Sequence, residues 1–411
     1  MRSSGLSETA ARALPAAQIG FVFMLALFEG PAQILCVVAI VVAFAAGALR
    51  GYRPGFVELG ILIWALAGCV GHLSFEGEAS STDLTRPIQA VALLVGFTIA
   101  KAPPRVLGRV ALAFGLAFTI NAAYGLLQRV VGELPLDPYL LSNPRSGQIW
   151  TPGWPRITRA ASGLFYNRLK LAHVGAVVLV MLVPLVIDRK LDRKWRLLAG
   201  GALVISGAGV LFAYARMALV ALVAGLAVTF GLIRVRLRTI LAFAAVGVVT
   251  VVLVLASPQG ERVTSSLTKD AGIRKAMMSA GVEVAKAYPI FGAGHGVYRS
   301  VVGPHMPANL ARVTHTSPHN QFLQVLAETG IVGLFGFSMM FFGALWIAVR
   351  NARSLGRGQG ADAHLARWAL STLVVVFVVG LTHFALHHAT VGLVFWVALG
   401  VIRGQESAGR A

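Results

Sequence analysis

Apolar segments long enough to cross a membrane recur along the whole chain and exclude an ordinary soluble fold. A membrane-spanning helix needs about 20 predominantly apolar residues. Segments of about this kind lie at 14–29, 31–49, 55–72, 87–100, 106–127, 169–187, 197–214, 217–233, 239–256, 321–349, 368–385 and 389–402. Since 57% of the residues are hydrophobic and only 13% are charged, we predict an all-α, polytopic integral membrane protein of about 12 transmembrane helices. Residues 1–411 would form a single membrane domain. Whether the first segment spans fully is open, because Glu29, Gly30 and Pro31 divide one apolar run into two short halves.

The placement of the basic residues predicts how the chain is oriented. A formal net charge of +20 would suit a nucleic-acid-binding protein if the chain were soluble, but most of the charges lie in short clusters between apolar segments. Every second connection is basic, namely 50–53, 101–109, 188–196, 234–238 and 350–367. Cytoplasmic loops carry an excess of Lys and Arg, so we expect both termini in the cytoplasm and no nucleic-acid partner.

Two long connections on the opposite face depart from this pattern. They lie at 128–168 and 257–318, and we predict both as periplasmic loops, the larger one containing short helices. Each carries more Arg and Lys than Asp and Glu, which indicates either an anionic ligand on that face or a solvated basic loop. In the second loop, Ile273, Met277, Ala280 and Val284 recur at helical spacing. Arg274 would then lie in the first turn of a helix that ends before Pro289.

The stretch from residue 315 to residue 337 joins a polar loop to a long apolar helix. Ser317 and Pro318 resemble an N-cap and a first-turn proline, so we expect His319 and Asn320 in the first turn of that helix. About 30 residues separate His319 from the next basic cluster, or roughly 45 Å of helix, which places the imidazole at or above the membrane surface. Gly330, Gly333 and Gly336 recur every three residues. They predict a helix face without side chains, against which a neighbouring helix can pack closely.

Histidines are concentrated on the outer half of the predicted topology. They are His72, His173, His295, His305, His315, His319, His383, His387 and His388. No His-Glu-x-x-His pattern occurs and Pro318 interrupts the spacing of His315 and His319, so a neutral imidazole acting as a base is favoured over a zinc ligand. Glu328 lies about 13 Å further along the helix, too far to share the same proton, and is interpreted as a carboxylate hydrogen-bonded to a neighbour.

Two further features bear on a ligand site. Arg216 follows a short turn at the outer membrane boundary, where either an anionic ligand or a lipid phosphate would compensate its charge. The glycine-rich run 292–296 follows no strand, so we interpret it as a tight turn that brings backbone close to the site and not as a nucleotide fingerprint.

Several separated blocks resemble a known family. They are RAASGLFYNRLKLAHVGAVVLVMLVP at 159–184, the start of a helix at Ala215-Arg216, the block from Arg274 that ends in YPIFGAGHGVY at 298, and the His-Asn helix with AETGIVG at 327–333. Together they are similar to the O-antigen ligase and O-antigen polymerase family of bacterial membrane glycosyltransferases. Ala215 replaces the usual Ser, and Asn167-Arg168-Leu169 stands where many relatives have Asn-Pro-Asn.

The resemblance implies transfer of a glycan from undecaprenyl diphosphate to an acceptor hydroxyl at the periplasmic face of the bacterial inner membrane. It implies no nucleotide sugar, metal or other cofactor. His319 would be the catalytic base, and Arg216 and Arg274 would hold the diphosphate, a role that suits the guanidinium fork. We further expect these residues to bind substrate: Arg159, Asn320, His315, Gly292 and Gly294.

The reaction within the family is not decided by these residues. The long basic loop after the ninth segment favours a ligase, with a lipid A-core sugar as acceptor. The alternative is a polymerase of the same family, with a growing polysaccharide as acceptor. A secondary transporter, which would also lie among membrane lipids, is disfavoured because few ionisable residues fall near mid-depth of the predicted helices.

Overall fold

The computed structural model describes residues 3–73, 86–131, 134, 160–165, 167–188, 191–233, 260–307, 317–355 and 360–408, and within them every regular element is helical. The first eight helices are α1 (Ser3–Leu25), α2 (Glu29–Ala45), α3 (Phe56–Leu73), α4 (Ala92–Ala100), α5 (Pro104–Val131), α6 (Arg168–Ile187), α7 (Arg193–Phe212) and α8 (Arg216–Ile233). The remaining five are α9 (Gly260–Ala287), α10 (Tyr298–Val301), α11 (Gln321–Ser354), α12 (Ala361–Gly380) and α13 (Ala389–Ala408). The all-α prediction is therefore confirmed for the described part of the chain.

Eleven of the twelve predicted apolar segments coincide with described helices. The ninth, 239–256, lies outside the described residues. Among the described helices, six are long and apolar enough to cross a membrane, namely α3, α5, α6, α7, α11 and α12, and three shorter apolar helices lie at Glu29–Ala45, Pro87–Ala100 and Arg216–Leu232. The count of about 12 spans stays a prediction.

The two ends of the bundle differ in chemistry. At one end, α6, α8, α11 and α13 begin and α7 and α12 end; contacts such as Lys170 with Glu29 and the amide of Asn320 with the Leu381 carbonyl join these termini. We call it the histidine end, after His173, His319, His383, His387 and His388. At the opposite end, Arg403 pairs with Glu58 at 2.8 Å.

Glycines allow the closest helix packing, as the sequence predicted. A Cβ on Gly336 would lie 2.8 Å from the carbonyl oxygen of Gly60, so α11 and α3 are in backbone contact there. Gly333 faces Ala67 of α3. Only residues without a side chain permit such an approach, and the pairing fixes α11 against the rest of the bundle.

Two expectations about helix boundaries are wrong. The helix that carries Arg274 begins at Gly260, so Arg274 lies in its interior and not in its first turn. The apolar face Met277, Ala280 and Val284 is buried as predicted. The long helix α11 is not continuous, because Gly330 has φ 62° and ψ −168° and divides it into a half-helix 321–329 and a longer part 331–354.

Candidate functional site

His319 lies in a turn before α11 and not within its first turn, which corrects the prediction. Its φ is 53°, and its backbone N–H donates to the Ser317 hydroxyl at 3.1 Å. The N-cap of α11 is Asn320, whose Oδ1 accepts from the Leu323 N–H at 2.9 Å. Both Ser and Asn are good N-caps, and the structure uses the second. His319 is thereby held in a left-handed conformation that a residue with a Cβ seldom adopts.

The Gly292–Gly296 turn and the two residues Pro289 and Ile290 hydrogen-bond to the backbone on either side of the break in α11. At Gly330 the carbonyls of Ala327 and Glu328 lose their usual helical donors, and they accept instead from the N–H groups of Ala293 (3.0 Å) and Gly294 (2.8 Å). In return, the N–H groups of Ile331 and Val332 donate to the carbonyls of Pro289 (2.9 Å) and Ile290 (3.2 Å). A helix break inside a bundle requires such replacement partners.

Gly292 and Gly294, which the sequence predicted as substrate contacts, are buried in this turn against neighbouring backbone. Their φ values are 71° and 104°, and a Cβ on Gly292 would overlap the backbone of Glu328. The prediction of a tight turn is thus confirmed. The contacts described for both glycines are with the protein backbone, and a substrate contact stays a proposal.

Imidazole rings cluster beside His319. The centroid of the His383 ring is 5.8 Å from that of His319 and 5.4 Å from that of His173. His388 lies 6.4 Å from His173, and Phe384 packs edge-on to His319 at 5.8 Å. His383 belongs to the turn 381–388 between α12 and α13, so three separate parts of the chain supply this cluster.

The charge environment keeps His383 neutral. Burial, which has the largest effect, and the nearby His173, Arg274, His319 and Arg168 together lower its pKa to about 2. The pKa of His388 is lowered well below its ordinary value, mainly by burial and next by Lys170. The same shifts place Arg274 and Arg168 within electrostatic reach of His383. Arg274 and His319 therefore both act on His383.

Arg216 directly follows a turn that Arg168 contacts. Arg216 is the first residue of α8, directly after a turn in which Tyr214 has φ 53°. The Arg168 guanidinium donates to the carbonyls of Ala213 (3.4 Å) and Tyr214 (3.1 Å). Arg129 lies over the ring of Phe212 at 4.6 Å and over that of Tyr214 at 5.3 Å. Arg129, Arg168 and Arg216 thus surround one turn at the histidine end.

The side chains that sequence reasoning did not select as site residues are mainly Arg168, Arg129 and His383. Each carried a signal: two lie among the basic residues of the first long loop, and one among the outer histidines. Arg168 also occupies the position where the family resemblance breaks down. Their proximity depends on contacts between distant segments, which residue spacing does not reveal.

A second polar network lies behind the histidine cluster. Glu328 is 4% exposed, and its carboxylate accepts from the Gln324 amide at 2.7 Å, pairs with Arg86 at 3.6 Å and lies 3.9 Å from the His387 ring. Arg86 also contacts the His387 ring. Burial lowers the pKa of Arg86 to about 10 against the opposing effect of Glu328, and burial together with Arg86 lowers that of His387 to about 4. The interpretation of Glu328 as a hydrogen-bonded carboxylate is confirmed.

Two of the predicted site residues cannot be placed in the site. Arg159 and His315 lie outside the described residues. Within the described ranges, no three His, Cys, Asp or Glu side chains are grouped so that they would hold a metal ion. The described cluster instead offers uncharged imidazoles next to guanidinium groups, which can accept a proton and bind an anion respectively.

Comparison with known proteins identifies one family. A family model described as O-antigen ligase matches residues 201–338. The match begins in α7 and ends in α11, and it includes Arg216, Arg274, Gly292, Gly294 and His319. No curated protein matches the chain.

Proposed function

We propose that the chain is a member of the O-antigen ligase family, whose model matches residues 201–338, and that it transfers a glycan from undecaprenyl diphosphate to an acceptor hydroxyl. The family works on lipid-linked glycan and polysaccharide substrates. The acceptor we propose is a sugar of lipid A-core. The observation that carries the proposal is the meeting of His319, His383, Arg274 and Arg168 at one end of the bundle, with Arg216 on the adjoining turn.

In the proposed reaction His319 removes the proton from the acceptor hydroxyl. The hydroxyl oxygen bonds to the anomeric carbon of the donor sugar, the bond from that carbon to the phosphate oxygen breaks, and undecaprenyl diphosphate leaves. Negative charge grows on the leaving diphosphate, so cations fixed in advance around it stabilise the transition state. Arg216 and Arg274 are proposed for this role.

The distribution of charge supports a periplasmic position for the histidine end. At the opposite end, three basic connections converge: the Lys101 ammonium donates to the Arg50 carbonyl at 3.2 Å, Arg403 donates to the Arg53 carbonyl at 2.9 Å, and Arg350 pairs with Glu406 at 3.0 Å. Cytoplasmic faces carry such an excess of Lys and Arg. We therefore propose that the site opens to the periplasm of a bacterial inner membrane.

An assay with defined substrates tests the proposal. Purified protein is incubated with an undecaprenyl-diphosphate-linked oligosaccharide, with and without lipid A-core. A ligase yields lipid A-core that bears the glycan, and only when the acceptor is present. A polymerase lengthens the donor glycan without the acceptor. No transfer in either mixture, together with uptake of a small solute into liposomes, would support a transporter and overturn the proposal.

A deletion strain provides an independent measurement. On surface-polysaccharide gels, loss of the whole ladder with free lipid A-core identifies a ligase. Lipid A-core that bears a single repeat unit identifies a polymerase. An unchanged ladder would contradict both reactions.

A further inference from the structure

The half-helix 321–329 has one polar face that is turned towards the rest of the bundle. Its N-cap Asn320 and the side chains of Gln321, Gln324 and Glu328 recur at the spacing of a single helix face. Gln321, Gln324 and Glu328 are 5%, 1% and 4% exposed. Burial of three polar side chains in an apolar bundle costs free energy unless each of them is paired, so their partners indicate what this face is for.

Gln324 donates to Glu328 on the same face, whereas Asn320, Gln321 and Glu328 contact the turn 381–388, which carries His383. The Asn320 amide donates to the Leu381 carbonyl at 3.0 Å, and the Leu386 N–H donates to the Gln321 side chain at 3.0 Å. The Nε2 atom of His387 lies 3.9 Å from the Glu328 carboxylate. His383 lies between the first two of these ties. The position of its ring relative to His319 is therefore set by how firmly this turn is held against the half-helix.

Glu328 is the charged element of these contacts. It pairs with Arg86, which enters from the residues before α4 and also contacts His387. Arg86 is 8% exposed. Removal of one partner from a buried ion pair leaves the other charge uncompensated and is much costlier than the pair itself is favourable. Loss of the Glu328 charge would thus leave Arg86 against His387 with no anion between them.

We infer that Glu328 is a positioning residue for His319 and His383, because its ion pair with Arg86 and its contact with His387 hold the turn 381–388 on the half-helix that begins at Gln321. The inference rests on the proposed function and adds to it a residue that acts through others. Glu328 does not touch the proposed substrate. Its effect is on the alignment of the imidazoles, and a displacement of about 1 Å in such a group can cost 10²-fold in rate.

The first test separates alignment from substrate binding. Glu328→Gln keeps a side chain that can bond to Gln324 but removes the charge. We expect kcat for glycan transfer to fall about 10²-fold while KM for the lipid-linked donor is unchanged, since the proposed diphosphate arginines are untouched. The double variant Glu328→Gln/Arg86→Gln removes the uncompensated charge, so its kcat should exceed that of Glu328→Gln alone. An equal or lower kcat in the double variant would contradict the charge argument.

A matched control lies at the opposite end of the bundle. Glu58 accepts from the Arg403 guanidinium at 2.8 Å and from the Tyr52 hydroxyl at 2.9 Å, and it is likewise a paired carboxylate. Glu58→Gln should lower thermal stability without lowering kcat. If both variants reduce kcat equally, Glu328 acts only through general stability and the inference is wrong.

A local measurement follows the turn itself. Ala385 is 0% exposed, so a cysteine introduced there by Ala385→Cys, with Cys36→Ala and Cys69→Ser, should resist a maleimide reagent. Addition of Glu328→Gln should make the introduced thiol reactive, and addition of Glu58→Gln should not. A fall in kcat with the thiol still protected, or an unchanged kcat, would overturn the inference.

Two further variants keep the test decisive. If Glu328→Gln does not fold, Glu328→Asp keeps the charge on a shorter side chain and should give a smaller fall in kcat with the same unchanged KM. A rise in donor KM with unchanged kcat would contradict alignment. Failure of the proposed function is recognised separately, since the wild-type protein itself would then transfer no glycan in the assay with defined donor and lipid A-core.

Discussion

The imidazole rings of His319 and His383 meet edge to face, with 5.8 Å between their centroids. His319 comes from the turn before α11 and His383 from the turn after α12, so their contact depends on how these two helices are held together. Burial and neighbouring cations keep the pKa of His383 near 2. His319 therefore has an uncharged neighbour, which adds no positive charge beside this imidazole when it takes up a proton.

We predict that His319→Ala lowers the rate of glycan transfer about 10²-fold to 10⁴-fold, the range that a general base usually contributes. The assay with lipid-linked donor and lipid A-core measures this directly. His305→Ala is the matched control, because His305 lies in the separate turn after α10 and has no proposed role. Equal activity of the His319 variant and the control would remove the proposed base.

Arg216→Lys and Arg274→Lys should each retain the positive charge but lose the planar fork that suits diphosphate oxygens. We expect a fall in kcat/KM for the donor in both Lys variants, and a larger fall, of about 10²-fold to 10³-fold, in the Ala variants. Arg299→Lys, at an exposed position of α10, serves as control. Unchanged kcat/KM in the Ala variants would show that the diphosphate is bound elsewhere.

Arg168→Met should weaken the turn that presents Arg216. The guanidinium donates to two carbonyls of a turn in which Tyr214 is left-handed, and a hydrogen bond to a charged group is worth about 1.5–3 kcal/mol. We expect a donor KM raised about tenfold, which corresponds to about 1.4 kcal/mol. Asn167→Ala, which removes only the local cap on Leu169, is the comparison variant. If Arg168→Met has the same donor KM as the wild type, this turn does not contribute to donor binding.

Gly330→Ala should destabilise the protein. Its φ of 62° is in the left-handed region, and a Cβ there would overlap the carbonyl of Ile290, so we expect a loss of at least 1–3 kcal/mol. Gly200→Ala in α7 is the control, because nothing lies within 4 Å of its Cβ and alanine favours a helix by about 1 kcal/mol. Thermal unfolding in detergent should show Tm lowered in the first variant and unchanged or raised in the second.

Stability should fall as the solution is acidified below about pH 6.5. The pKa of His383 is lowered from 6.5 to about 2 and that of His387 to about 4. The unfolded chain therefore binds protons at a higher pH than the folded protein does. The contribution of these two residues to stability is complete above pH 6.5, and it is lost as the pH falls towards 4 for His387 and towards 2 for His383. Tm measured between pH 8 and pH 4 should show this decline, and the double variant His383→Asn/His387→Asn should show a shallower one.

The sequence by itself determined the membrane class and the helices, and it supplied the residues of the candidate site. Those properties are local: an apolar run of spanning length has no alternative to a helix in a bilayer, because its backbone must satisfy its own hydrogen bonds. The same holds for the buried face of Met277, Ala280 and Val284 and for the glycine contact of α11 with α3. The family match over 201–338 confirmed the resemblance that the motifs had indicated.

Tertiary structure alone decided where the polar groups meet. Ser317 and Asn320 are both suitable caps, and it is the bond from the Asn320 amide to the Leu381 carbonyl that accompanies the choice of the second. Gly330 fits a regular glycine face by its spacing, yet its backbone conformation is set by hydrogen bonds to residues 289–294, about 40 positions earlier. Arg168, His383 and Glu328 have their neighbours for the same reason. Charge and hydrogen bonding act through space, and spacing along a chain predicts them only within one helix.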